Sequence, residues 1–112
     1  MVAVRKGTRS CRLLKQGQAF SVNLLDKQER RLARELVKPA HRIGDKLGRV
    51  SHVEEDTGAP ILGKAFGYME CRVCQIFEPG DHALVIGEVV NAGWHGTGEP
   101  LMCADLQWRY GG

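Results

Sequence analysis

Tyr68-Met69-Glu70-Cys71-Arg72-Val73 and, a few residues on, Gly80-Asp81-His82-Ala83-Leu84-Val85-Ile86-Gly87-Glu88-Val89 read as two strands joined by a tight polar turn, with one histidine placed where strand begins again. β-Branched and apolar residues dominate both runs, and Gly, Pro and acidic residues separate them, which is the composition of a hairpin. In a compact β-barrel the strand ends hold the few polar groups and the walls supply apolar surface. That makes His82 a candidate site residue, although a lone turn histidine is more often a structural hydrogen-bonder than a catalyst.

Working outward, residues 2–5 form a short β-type run, and Thr8 is placed to cap a helix through Leu13, Leu14 and Lys15 that closes with Gly17 at its C′ position. Phe20, Val22 and Leu24 alternate with Ser21 and Asn23, a strand period over residues 19–25. Asp26 is placed to cap a second helix over residues 27–37, with Leu32 and Leu36 as its apolar stripe and Lys38-Pro39 as its stop. Residues 39–60 are polar and aperiodic, and a loop of that length is functional or lies against a partner. Residues 61–65, 67–77, 83–94 and 101–110 are β-type runs between turn signals. The order predicts a mainly β fold, an antiparallel barrel carrying peripheral helices.

A chain of 112 residues suits one domain, residues 1–112. Net charge is only +3, yet residues 1–49 hold thirteen of the sixteen Lys and Arg with four acids, and the remainder holds three bases and nine acids. Such polarity suits an anion at the basic end, or electrostatic pairing of the two halves within or between subunits. No apolar run approaches the roughly 20 residues of a membrane span, and no secretory signal is visible. Cysteines 11, 71, 74 and 103 read as reduced thiols in a cytoplasmic protein.

Cys71-Arg72-Val73-Cys74 invites a metal or redox reading, but residues three apart on a strand point to opposite faces and no second ligand pair accompanies them. We expect no metal there. Arg5, Lys6, Arg9, Arg12 and Lys15 could contact nucleic-acid phosphates, but seven aromatics, no stacking motif and an acidic second half argue against nucleic acid as a partner. Lys6-Gly7-Thr8-Arg9-Ser10 holds the parts of a phosphate site: two hydroxyls at a helix start, oriented N–H groups and basic neighbours. Taken alone, the same residues are more often those of an ordinary helix cap.

Several stretches, in order, resemble the flavin reductase-like FMN-binding split barrels. Residues 2–14 are similar to that family's strand and Ser/Thr-x-Ser/Thr helix start, Phe20-Ser-Val-Asn-Leu-Leu25 to its Phe-x-Val-Asn-x-Leu strand, and Gly44-Asp-Lys46 to its Gly-Asp-Lys loop. Thr57-Gly-Ala-Pro-Ile-Leu62, Glu70-Cys71, Gly80-Asp-His82 and Gly87-Glu-Val89 continue the series.

The resemblance implies an FMN-binding split β-barrel that forms a homodimer, binds FMN or FAD near the subunit interface and takes hydride from NAD(P)H. It implies that Thr8 and Ser10 take the flavin phosphate with Lys6 and Arg9 as supporting charges. His82 would lie near the flavin and nicotinamide as the catalytic residue, and Tyr110 beside the ring. Electrons would pass on to a monooxygenase or another acceptor. Family members place about 40 residues before the strand matching Val2–Arg5, so an N-terminally shortened barrel is expected. The alternative is a non-catalytic split-barrel fragment that dimerises or binds a phosphorylated ligand without turnover.

Overall fold

The structure is a computed structural model that describes residues 1–38 and 50–108. Strands β1 (Val2–Arg5), β2 (Ala19–Leu25), β5 (Ala65–Phe77) and β6 (His82–Trp94) form one antiparallel sheet in the order β1-β6-β5-β2. The hairpin anticipated around the Gly80 turn is its centre. β3 (His52–Glu54) and β4 (Pro60–Leu62) make a second, two-stranded sheet. Helices α1 (Arg9–Gly17) and α2 (Arg30–Val37) lie at the periphery, the latter entered through a 3-10 turn over Lys27–Glu29.

Register assigns the faces, because directly opposed residues share a face and alternate residues along a strand share it too. Phe20, Cys71 and Val89 form one row, Val22, Met69 and Ala92 the next, and Leu24, Gly67 and Trp94 a third. On the same face α1 runs from edge strand β1 to edge strand β2 and touches both. Beneath it Ala83, Val85 and Cys71 are buried, and Cys11 of the helix is buried with them. Toward the other end of that face Met69, Val89 and Trp94 remain exposed.

The opposite face carries Ser21, Glu70 and Asn91 in one row. The segment leading into β4 covers it through polar contacts. Ser21 donates from its hydroxyl to the Pro60 carbonyl, and Asn23 Oδ1 accepts from the Leu62 N–H at 2.9 Å. Glu70, with no exposed surface, accepts from the Thr57 hydroxyl at 2.8 Å, the Thr57 N–H at 3.1 Å and Asn91 Nδ2 at 2.7 Å. Burial alone would push this carboxyl up, but the bonds from Asn91, Thr57 and the Asp56 backbone outweigh it and hold Glu70 below the usual glutamate range.

Three local expectations are corrected. The left-handed residue closing α1 is Gln18, at φ 55°, whose side chain returns to the Lys15 carbonyl at 2.5 Å; Gly17 stays within the helix. Part of the expected long loop is strand β3, too short for alternation to show. Residues 101–108 form no strand, since Asp105 accepts from the Met102 N–H at 2.8 Å and bends the chain into a 3-10 turn over Cys103–Leu106. The Gly44-Asp45-Lys46 stretch and Tyr110 lie outside the described residues.

Candidate functional site

Thr8 does cap α1. Its hydroxyl accepts from the Cys11 N–H at 3.3 Å and donates to the Arg5 carbonyl at 2.7 Å. The second bond ties the helix start back to the end of β1. Arg5 lies opposite His82 in the β1–β6 register, and the Lys6 N–H donates to the Asp81 carbonyl at 2.9 Å. These two links press the β1–α1 junction against the β5–β6 turn, so Lys6, Thr8, Arg9 and Ser10 share one end of the sheet with His82. Ser10 is exposed, while Lys6, Thr8, Arg9 and His82 are half-buried.

The turn itself is a network of charges. Lys6 Nζ donates to the Glu78 carbonyl at 2.9 Å, and Lys15 Nζ to Glu78 Oε1 at 2.6 Å. The Lys15 bond holds the Glu78 carboxyl below the usual range, with Lys6 adding to the effect. Together with Lys27–Glu99, at 2.5 Å, these pairs join the basic first half of the chain to its acidic second half within one subunit. His82 Nδ1 sits 2.9 Å from Asp81 Oδ1, and this bond keeps the Asp81 carboxyl low. The sequence singled out His82 but gave no sign that Asp81 or Glu78 would take part; neighbours of opposite charge in a turn usually dissolve separately into solvent.

The other described histidines lie away from this end, each with its own contact. His52 Nδ1 bonds the Val50 carbonyl at 2.8 Å, and His95 stacks on Tyr68 with ring centroids 5.7 Å apart. Cys71 is buried and its thiol is pushed up by that burial, whereas Cys74 is exposed at a bulge between Val73 and Gln75. Among the described residues no group of three or more His, Cys, Asp or Glu is placed to hold a metal ion, and no helix is long and apolar enough to cross a membrane.

Donor chemistry at the α1 start fits a phosphoryl group. The first helical turn directs N–H groups outward, Ser10 exposes a hydroxyl, and Lys6 and Arg9 supply positive charge. Thr8 fits less fully than the sequence suggests. Its single proton is already given to Arg5, so toward an anion it acts through the cap it builds.

A curled antiparallel sheet forming half a barrel, with two short helices, defines this fold as a flavin reductase split barrel. It resembles the FMN-binding protein from Thermus thermophilus, whose structure with bound p-hydroxybenzaldehyde superposes with a TM-score of 0.74 at 29% identity over 84% of this chain and 53% of that one. The model of the flavin reductase like domain matches residues 1–111, and the chain belongs to that family. Relatives include an NADH-dependent FAD reductase of Streptomyces globisporus, 32% identical over 65% of this chain and 41% of its own length. Another is the reductase component of the 4-nitrophenol 4-monooxygenase/4-nitrocatechol 2-monooxygenase of Rhodococcus opacus, 33% identical over 79% of this chain and 45% of its own length. The chain thus spans under half the length of these two curated relatives.

Proposed function

We propose that this chain is a flavin-binding reductase domain in which NADH or NADPH reduces FMN or FAD. One observation carries the reading: Lys6, Arg9 and Ser10 at the helix start share one end of the sheet with His82. Family membership supports the flavin, and the NADH-dependent and monooxygenase-component relatives support nicotinamide as donor and a monooxygenase or other acceptor downstream.

The bound flavin would supply the redox chemistry, accepting hydride from the nicotinamide. The protein's task is placement. Ser10 and the first-turn N–H groups bind the phosphoryl oxygens, Lys6 and Arg9 offset their charge, and Thr8 keeps the turn wound. His82, half-buried at the start of β6, orients and polarises the ring systems; it need not transfer a proton. Tyr110 is assigned beside the ring by resemblance alone.

Ser10→Ala is expected to weaken FMN binding by about 1–3 kcal/mol with stability unchanged, because an exposed charge-assisted donor is lost and nothing in the fold depends on it. Thr8→Ala should weaken binding and also lower stability by about 1 kcal/mol through the lost cap, while Thr8→Ser preserves both. Flavin fluorescence titration reads the first effect and thermal unfolding the second. A purified chain that takes up neither FMN nor FAD would sink the proposal and leave the reading of a non-catalytic barrel.

The homodimer is proposed on the exposed apolar residues Met69, Val89, Ala92 and Trp94 with half-buried Val22 beside them, a patch of the kind that partner surfaces cover. Trp94 is 63% exposed although its ring packs edge-on against Phe66 at 5.0 Å. Trp94→Arg with Val89→Asp is expected to convert a dimer into a monomer in light scattering. A wild-type chain that is already monomeric at high concentration removes this part of the proposal.

A further inference from the structure

Positive charges in the described part of the chain are paired almost everywhere. Each described lysine has an oxygen partner: Lys6 and Lys15 on Glu78, Lys27 on Glu99, Lys38 on Glu35 and Lys64 on Glu29. Arg72 donates to the Asp56 carbonyl at 3.0 Å, and Arg5 and Arg9 are engaged too. Among the described residues, the arginines left without an acceptor are Arg12 of α1 and, together on α2, Arg30, Arg31 and Arg34.

At 3.6 residues per turn the three on α2 fall within an arc of about 100°. All three are exposed, while the inward side of the helix carries buried Ala33 with half-buried Leu32 and Leu36. Nearby acids are already taken, Glu29 by Lys64, Glu35 by Lys38 and Glu99 by Lys27. The Glu99 bond raises the Lys27 ammonium and Arg30 acts against it, so like charges crowd the entry to this helix. The patch is also remote from the phosphoryl site. β2 ends at Leu25 opposite Ala65, the first residue of β5, whereas the turn before His82 follows its last, Phe77. Helix α2 therefore starts from the far end of the sheet.

Arginine's planar fork meets a carboxylate through two bonds at once and is weakly hydrated, which suits ion pairs between proteins. Glu29, Glu35 and Glu99 border the patch, so a uniform polyanion such as a nucleic-acid backbone or an anionic membrane would lie across acids as well as bases. Leu32, Ala33 and Leu36 are turned inward and leave no apolar stripe to enter a bilayer. A folded protein can set its carboxylates opposite the arginines alone. We infer that Arg30, Arg31 and Arg34 form a docking surface on α2 for a cluster of carboxylates on another protein. The inference holds whether or not the chain binds flavin.

NMR titration of the whole 15N-labelled chain tests it, with a helical peptide that bears its glutamates on one face as the probe. The arginine Nε–H signals of residues 30, 31 and 34 are expected to shift, and the affinity to fall as salt rises from about 0.01 to 0.1 M and the screening length shrinks from about 30 to 10 Å. Replacing Arg30, Arg31 and Arg34 together by alanine, which keeps helix propensity, should weaken peptide binding about tenfold and leave flavin uptake as in the wild type. An unchanged affinity in that variant, or shifts confined to α1, overturns the inference. So does an oligonucleotide of equal charge, or a phosphatidylserine vesicle, that binds at these arginines more tightly than the peptide. A chain that takes up no flavin yet binds the peptide on α2 supports the docking surface while removing the flavin reading.

Discussion

Glu70→Ala is expected to lower stability by about 3 kcal/mol in urea unfolding, the largest effect of any single polar substitution among the described residues. The carboxylate is fully buried at the centre of β5, and its removal strands the Thr57 N–H, the Thr57 hydroxyl proton and one of the two Asn91 amide hydrogens at once, the amide keeping its bond to Glu55 at 2.6 Å. The segment from Asp56 to Pro60 would lose its buried anchor on the sheet and keep the bonds from Ser21 and Asn23 to the Pro60 carbonyl. Glu70→Gln offers a gentler comparison: one oxygen still accepts, but its own amide faces the Asn91 donors. It should fall between alanine and wild type. A Glu70→Ala protein as stable as the wild type would show that this network contributes nothing net.

Acid titration gives the same group a second signature. A glutamate carboxyl ordinarily titrates near 4.5, and Glu70 is held lower in the folded chain. Its contribution is therefore complete above about pH 4.5 and is lost as pH falls through the lower folded value. Wild type should lose stability more steeply on the acid side than Glu70→Gln. Parallel curves for the two proteins would contradict the shift.

Gly87→Val is expected to destabilise by about 2–3 kcal/mol, through overpacking. A Cβ at this position would stand 2.7 Å from Phe20 Cε1 and 2.8 Å from Cys71 Cβ. The Phe20 ring lies across the glycine, and the Cys71 atom belongs to the central strand and cannot move aside. Gly87→Ala should cost less but in the same direction. Phe20→Ala in the Gly87→Val background is expected to recover part of the loss, because it vacates the space the new side chain needs. Thermal unfolding that is unchanged in Gly87→Val would contradict this packing.

What the sequence disclosed followed from how local the cause was. Strand β2 was legible because Phe20, Val22 and Leu24 mark one face and Ser21 and Asn23 the other, and the register bears this out. The Thr8 and Asp26 caps were legible too, since each acts within three residues of itself. Glu70 was not, because its partners Thr57 and Asn91 lie 13 and 21 residues away and a charged residue in a strand ordinarily signals solvent. The turn over residues 103–106 was missed for a related reason: its apolar neighbours suggested a strand, and the Asp105 side chain decided otherwise. At the site, the sequence named His82 and the hydroxyls. Only the fold could bring them to one end, or reveal that the Thr8 proton was already engaged.

Pairing of β1 with β6 brings Val2 against Val85, about three-quarters of the chain apart in sequence. Local elements such as the β5–β6 hairpin can form within microseconds, but closing so large a loop costs entropy that is recovered only when the ladder is complete. The junction bearing Lys6 to Ser10 is held by that ladder and by the Lys6–Asp81 bond. Its position is thus among the last things folding settles, and a ligand bound there would act as a clasp, slowing the unfolding of the chain's opening strand before it slowed anything else.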